Sequence, residues 1–276
     1  MAPVVDEATA RSTPPKPPQS RRIRDVWAWN FDAEFDNLLA AVGKGGNAIV
    51  ALDIEFPGCV CEDPLFAVHA VRYSALQENV DLLQPIQLGL AVSHGEGELL
   101  QGAWNFNIWF DLTQSLYTEE SVRFLAAAGI DFSRHAREGI DLLAMSWRLA
   151  SSALVGKHSG IPRWVTFSGW HDWGYLLKVL TYGRPMPPDL SSFQDELAAL
   201  CPHRHELRDQ LPRGSLDSLI ASHGIQRVGV AHTAGSDALA TLELYLQETT
   251  SEGGRPRPRD SGSRAAGPPH AWPADA

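Results

Sequence analysis

Apolar and polar positions follow two periods along the chain, and these periods predict an alternating series of strands and helices. A continuous apolar run predicts a buried strand that starts at Ala48 and ends before Pro57 and Gly58. Further strand-like runs cover 85–92, 103–110 and 163–167, and a weaker one covers 203–208. Apolar residues at helical spacing cover 23–42, 118–128, 135–154, 172–180, 191–200, 214–222 and 236–248.

The order of these elements predicts one α/β domain over residues 23–250, with a mixed central sheet flanked by helices. Glycines at 95–97 are typical of a hairpin between the second and third strands. Three strands with short connections, followed by helices that alternate with a strand, favour a mixed sheet. Residues 1–22 and 251–276 are rich in Pro, Ser, Gly and Arg and have no apolar periodicity, so we expect two disordered tails.

Charge is distributed unevenly along the chain. Its 276 residues include 23 Lys and Arg and 33 Asp and Glu, a net charge of −10. Nine of the basic and five of the acidic residues lie in 1–24 and 251–276, which leaves 14 basic and 28 acidic residues, a net of −14, between them. A body this acidic excludes nucleic-acid binding through bulk positive charge. Any nucleic acid must therefore bind in a local cleft or with the help of metal ions.

Hydropathy and the N-terminal composition predict an intracellular protein with no membrane partner. No apolar run reaches the length of about eighteen residues that a membrane-spanning helix needs. The N-terminus lacks the apolar stretch of a secretory signal. Its basic residues are compatible with a nuclear signal or with a solvated tail, and we expect the protein in cytoplasm and nucleus.

Two carboxylates two residues apart stand at the end of the first buried strand. Side chains alternate faces along a strand, so Asp53 and Glu55 project to one side while Ile54 points to the other. Adjacent carboxylates repel each other unless a cation neutralises them, and a divalent ion does so efficiently. Taken alone, such a pair is more often two ordinary exposed acids at a strand end than a metal site.

Two further acids and one histidine occupy positions where they could join this pair. Asp172 begins a helix after the fourth strand, and Asp237 begins the last helix. Such acids are also common as helix caps. If the four acids converge, the expected ligands are hard cations such as Mg²⁺ or Mn²⁺, and two such ions can promote in-line hydrolysis of a phosphodiester. His232, five residues before Asp237, is a candidate general base or a solvated loop histidine.

The combination resembles the His-containing branch of the DEDD exonucleases, and within it the Caf-one/Pop-two poly(A) deadenylases. The resemblance spans roughly residues 23–248. It is carried by Asp53–Gly58, Tyr73, Asn79–Leu90, Trp104–Asn107, Ser121–Gly129, Phe132–Gly139, Asp172–Leu176 and Ala234–Asp237.

This resemblance implies an RNase H-like fold and removal of poly(A) from messenger RNA in the 3′ to 5′ direction, with release of 5′-AMP. It implies that Asp53, Glu55, Asp172 and Asp237 bind two divalent ions, Mg²⁺ or Mn²⁺, and that His232 is the general base. It also implies membership of the Ccr–Not complex, with the Not scaffold and a Ccr-four-type nuclease subunit as partners.

Three stretches depart from the family pattern. Ser168–His171 precedes the third acid where the family has Ser-Gly-Tyr, and Arg213–Ser215 stands where it has Gly-Gly. His203–Glu206 replaces an apolar strand that ends in Tyr-Asp, so we expect an edge strand or a remodelled segment there, because buried polar residues are costly. Two alternatives stay open: a scaffold or regulatory subunit with a dormant site, and a DEDD exonuclease that acts on other nucleic acids.

Overall fold

The computed structural model describes residues 23–43, 46–61, 69–95, 100–156 and 160–252. The strands are β1 (Ile23–Val26), β2 (Ala48–Glu55), β3 (Gln87–His94), β4 (Leu100–Asn107), β5 (Arg163–Thr166) and β6 (Arg204–Glu206). The helices are α1 (Phe31–Val42), α2 (His69–Leu82), α3 (Glu119–Ala127), α4 (Phe132–Glu138), α5 (Leu142–Ala150), α6 (Trp170–Leu180), α7 (Leu190–Leu200), α8 (Leu216–Ser222) and α9 (Ala234–Glu252), with short 3-10 turns at Ala28–Asn30 and Leu207–Gln210.

Within the described residues the strands form one mixed sheet in the order β1-β4-β3-β2-β5-β6. β2 pairs antiparallel with β3 and parallel with β5, and β5 pairs parallel with β6. The RNase H-like arrangement consists of five adjacent strands in the order β4-β3-β2-β5-β6, of which only β3 runs antiparallel to the others. The predicted fold class is confirmed, and β6 lies at the edge of the sheet as one interpretation of 203–206 expected.

Strand β2 divides the core into two layers. Val50, Leu52 and Ile54 face the larger layer, which includes residues of α1, α2, α5, α6 and α7. Ile49 and Ala51 face the opposite layer, where α9 packs on the sheet. Because side chains alternate along a strand, the odd-numbered positions that follow also point toward α9.

Among the helices in the described ranges, none combines the length and apolar character that crossing a bilayer requires.

Two predicted helices are wrong in their extent. The N-terminal one begins only at Phe31, because Ile23–Val26 pairs in parallel with β4 instead. The one predicted over 135–154 is two helices, α4 and α5, separated at Gly139. There Ile140 donates its N–H to Asn107 and accepts from Trp109, so tertiary pairing with the end of β4 interrupts the helix.

Helix α2 was not predicted, and a side chain of α6 that sequence periodicity does not reveal binds its C-terminal end. Lys178 of α6 donates to the carbonyls of Val80, Asp81 and Leu83, where α2 ends.

The remaining elements lie within a few residues of their predictions. β3 and β4 are antiparallel neighbours, and residues 96–99 of the predicted hairpin lie outside the described residues. Ser251 and Glu252, at the start of the predicted C-terminal tail, belong to α9. The predicted N-terminal tail 1–22 and residues 253–276 lie outside the described residues.

Candidate metal centre

Three of the predicted acids converge at the end of β2. Asp53, Glu55 and Asp237 each have one carboxylate oxygen within 4.8 Å of the corresponding oxygens of the other two. Asp53 and Glu55 share the face of β2 that is turned toward α9, and Asp237 lies in the first turn of α9. Residues separated by more than 180 positions in sequence are therefore brought together by the packing of one helix on one strand.

The close approach of α9 depends on Gly89 in β3. Gly89 pairs with Asp53 across the β2–β3 ladder. A methyl group added at Gly89 would overlap the backbone carbonyl of Ala234, at the start of α9. Any larger residue would push this helix end, and Asp237 with it, away from the strand.

Two buried amides on the sheet satisfy the first N–H groups of α9. Gln87 of β3 accepts from the N–H of Ala234 at 3.3 Å, and Asn105 of β4 accepts from the N–H of Gly235 at 3.2 Å. Helix starts leave such donors without intrahelical partners, so these contacts fix where α9 begins. Sequence reasoning did not assign this role to Gln87 or Asn105. The available signal was a polar side chain at an otherwise apolar strand position.

The fourth predicted acid, Asp172, lies beside this cluster in the first turn of α6. Its side chain is buried, and one carboxylate oxygen accepts from the backbone N–H of Ile54 at 2.8 Å. Ile54 lies between Asp53 and Glu55, so Asp172 contacts the strand at the point where the other two acids project.

Burial and the neighbouring acids raise the pKa values of Asp53 and Glu55. Burial raises the pKa of Asp53 well above its usual range, and the negative charges of Asp172, Glu55 and Asp237 raise it further. Burial, followed by the charge of Asp237, raises the pKa of Glu55 to about 8. The candidate metal ligands are all carboxylate oxygens, and Mg²⁺ and Mn²⁺ prefer oxygen ligands of this kind. The residues present therefore fit hard divalent cations.

Arg227 is a charged residue of the site that sequence reasoning missed. Its guanidinium forms an ion pair with Asp237 and a second one, at 2.6 Å, with Asp217. It also donates to the hydroxyl of Ser236 at 3.0 Å. One oxygen of Asp237 is thereby engaged by a cation that belongs to the protein. Arg227 lies ten residues before Asp237, in a segment without regular structure, and this position carried no recognisable signal.

His232 lies next to the cluster through its backbone. Its N–H donates to Asp237 at 3.0 Å, and its φ of +62° lies in the left-handed region, which is uncommon for a residue other than glycine. The imidazole is exposed and packs against Phe124 of α3, with 4.6 Å between the ring centroids. The structure therefore brings the amide, and not the ring, of His232 into contact with an acid of the site.

The stretch 168–171 contributes an aromatic side chain next to the third acid. His171 stacks on Phe56 with 5.0 Å between ring centroids, and Phe56 stacks in turn on Tyr175 at 4.9 Å. His171 also lies 3.7 Å from the thiol of Cys59. An aromatic stack thus borders the end of β2 on the side of α6.

Comparison with known proteins identifies relatives over most of the chain. The family model described as "CAF1 family ribonuclease" matches residues 26–157. The chain is 35% identical over 238 residues to "Probable CCR4-associated factor 1 homolog 10" of Arabidopsis thaliana, covering 81% of this chain and 84% of that protein. It is 33% identical over 235 residues to "Poly(A) ribonuclease pop2" of Schizosaccharomyces pombe, covering 82% and 68%.

Solved structures of similar proteins have the same fold. S. pombe Pop2p in its Mg²⁺- and Mn²⁺-bound form superposes with a TM-score of 0.75 at 32% identity, covering 83% of this chain and 92% of that chain. Yeast CAF1 co-crystallised with the NOT1 MIF4G domain superposes with a TM-score of 0.71 at 27% identity, covering 86% and 92%.

Proposed function

Because the chain belongs to the CAF1 family of ribonucleases, we propose that it is a metal-dependent exoribonuclease that removes poly(A) from messenger RNA in the 3′ to 5′ direction. The product of each step is 5′-AMP. The observation that carries the proposal is the convergence of Asp53, Glu55 and Asp237 within 4.8 Å, at the end of a central strand of the sheet. The S. pombe relative named as a poly(A) ribonuclease supports the substrate.

The proposed roles follow from position. Asp53, Glu55, Asp172 and Asp237 hold two divalent ions, Mg²⁺ or Mn²⁺, and the Pop2p structure bound to both metals supports this choice. When bound, such ions activate a water molecule and stabilise the charge on the leaving 3′ oxygen. His232 is the general base. Its backbone N–H binds Asp237 and its exposed ring packs on Phe124, so a rotation away from Phe124 would free the ring for proton transfer.

We further propose that the protein is the nuclease subunit of a Ccr–Not complex. The co-crystal structure of yeast CAF1 with the NOT1 MIF4G domain supports a Not-type scaffold as partner. A Ccr-four-type nuclease subunit, and residence in both cytoplasm and nucleus, are parts of this proposal that co-purification and imaging of the tagged protein can test.

The catalytic proposal is tested with a 5′-labelled RNA that ends in adenylates, incubated with the protein and Mg²⁺ or Mn²⁺. We expect a ladder of products shortened from the 3′ end and 5′-AMP as the released nucleotide. Asp53→Ala should abolish the ladder, because it removes an acid of the cluster. Asp195→Ala, which removes an exposed acid on α7, is the matched control and should leave the ladder unchanged.

Absence of shortened products from the wild type, or an identical ladder from Asp53→Ala, would contradict the proposal. Tails of uridylate or deoxyadenylate in the same assay decide between a deadenylase and an exonuclease for other nucleic acids. We expect the adenylate tail to be shortened fastest.

The alternative of a dormant scaffold is favoured by one observation, the ion pair between Arg227 and Asp237. A resident cation at this acid competes with a metal ion for the same carboxylate. Titration calorimetry with Mn²⁺ separates the two functions. An active nuclease binds the metal, and loss of binding is expected in Asp53→Ala. A dormant subunit shows no metal-dependent heat in either protein.

A further inference from the structure

Glu206, on the edge strand β6, is a hydrogen-bonding centre to which the proposed reaction assigns no role. One of its oxygens accepts from the backbone N–H of Ser168 at 2.8 Å and of Arg208 at 2.9 Å. The other accepts from the N–H of Gly169 and the hydroxyl of Thr166, both at 2.9 Å. Four donors match the roughly four lone-pair positions that a carboxylate offers. The side chain is therefore held in one orientation.

Two of these donors belong to the turn that connects β5 to α6. Ser168 has a φ of +56°, in the left-handed region, which is unfavourable for a residue other than glycine. Gly169 lies so close to Thr166 that an added methyl group would overlap its side chain. Gly169 also occupies the N-cap position of α6, which has no side-chain cap of its own. Glu206 thus holds a strained turn from a different strand.

The turn sets the position of Asp172, three residues after Gly169 in the first turn of α6. The pairing of β2 with β5 extends only to Ala51 and Val165. Beyond that point Asp172 accepts from the N–H of Ile54, in place of a continuing strand. A shift in the start of α6 would therefore move Asp172 relative to the acids on β2.

We propose that Glu206 is a positioning residue for the metal centre: it fixes the Ser168–Gly169 turn and through it the carboxylate of Asp172. The inference rests on the proposed function for the identity of the reaction, whereas the link from Glu206 to Asp172 stands on the geometry alone. It assigns a role to the segment 203–206, which departs from the family pattern.

The test substitutes Glu206→Gln in the full chain and measures Mn²⁺ binding by titration calorimetry. Gln keeps the size of the side chain but loses the charge and sets an NH₂ group against the N–H donors of the turn. We expect Mn²⁺ affinity to fall at least about tenfold, because groups that orient metal ligands are typically worth about 10–100-fold. With adenylate-tailed RNA, kcat should fall about tenfold or more, while KM stays within about threefold.

Two further variants keep the test decisive. Glu206→Asp retains the charge and withdraws the carboxylate by one methylene, and we expect an affinity between those of the wild type and Glu206→Gln. If Glu206→Gln does not fold by circular dichroism, Glu206→Asp decides alone. Glu248→Gln is the matched control, since this carboxylate accepts from His223 at 2.7 Å three turns along α9 from Asp237. It should leave Mn²⁺ affinity unchanged.

The inference is overturned if folded Glu206→Gln has the Mn²⁺ affinity and kcat of the wild type. If Glu206→Gln does not fold, the same result in Glu206→Asp overturns it. It is also overturned if Glu248→Gln loses as much Mn²⁺ affinity as Glu206→Gln. Failure of the inference about Glu206 is distinguishable from failure of the proposed function. A wild type that binds Mn²⁺ but shortens no RNA contradicts the function alone, and the Mn²⁺ titrations still test Glu206.

Discussion

Removal of metal ions should make the stability of this protein depend strongly on pH, and Glu55→Gln should weaken that dependence. Glu55 lies beside Asp53 and Asp237 in a cluster whose only described counter-ion is Arg227. In the metal-free protein, burial and the charge of Asp237 raise the pKa of Glu55 from its ordinary 4.5 to about 8.

The raised pKa of Glu55 determines whether stability rises or falls with pH. A raised pKa in the folded state means that the folded protein holds a proton which the unfolded chain releases between pH 4.5 and about 8. Stability from this group is therefore complete below pH 4.5 and is lost as the pH rises through 8. Each unit costs about 1.4 kcal/mol, so the shift corresponds to a loss on the order of 5 kcal/mol for the isolated group. Because neighbouring acids share protons with Glu55, we expect its replacement to remove only about 3 kcal/mol of this pH-dependent loss of stability.

The assay is urea unfolding in EDTA, followed by the fluorescence of the nine tryptophans, at intervals from pH 5 to 8.5. The free energy of unfolding of the wild type should fall steadily across this range. Glu55→Gln should be more stable than the wild type at pH 8.5 and lose less stability between the two extremes. Addition of Mg²⁺ at about 100 times its Kd should restore about 3 kcal/mol to the wild type at pH 8.5.

A pH-independent free energy of unfolding in the metal-free wild type would refute this reasoning. So would a Glu55→Gln protein that is less stable than the wild type at pH 8.5. Asp195→Asn, an exposed position on α7, is the control for a general effect of one lost negative charge.

Two other substitutions test separate features. His232→Ala should lower the rate of RNA shortening by about 10²–10⁴, the usual contribution of a general base. Its Mn²⁺ affinity by calorimetry should change less than about threefold, because the amide and not the ring contacts Asp237; an unchanged rate would exclude His232 as the base. Lys178→Met should lower the free energy of unfolding by about 2–4 kcal/mol in urea, because it leaves three carbonyls at the end of α2 without their donor; a loss below about 0.5 kcal/mol would show that water replaces the lysine.

Much of the architecture could be predicted because it depends on short-range patterns. The apolar run from Ala48, with Asp53 and Glu55 on one face, requires only the alternation of side chains along a strand. The predicted helix 118–128 also agrees with the structure, where α3 covers Glu119–Ala127 and the Thr118 side chain caps its start. The extents of the first helix and of 135–154 could not be predicted, since both are decided by pairing with β4, which is remote in sequence from Ile23.

The sequence alone determined the fold class, the strand that carries Asp53 and Glu55, and the two distant acids as candidates. It did so because strand alternation, helix periodicity and family motifs are local properties of the chain. Only the tertiary structure decided that Asp237 meets the strand, because that contact needs Gly89 and the packing of α9. The same is true of the Arg227 ion pair and of the bonds from Glu206 to the turn before Asp172. Each of these contacts involves at least one group that is unremarkable in sequence, such as Gly89, Arg227 or Glu206, and its effect on charge and position exists only when the chain is folded.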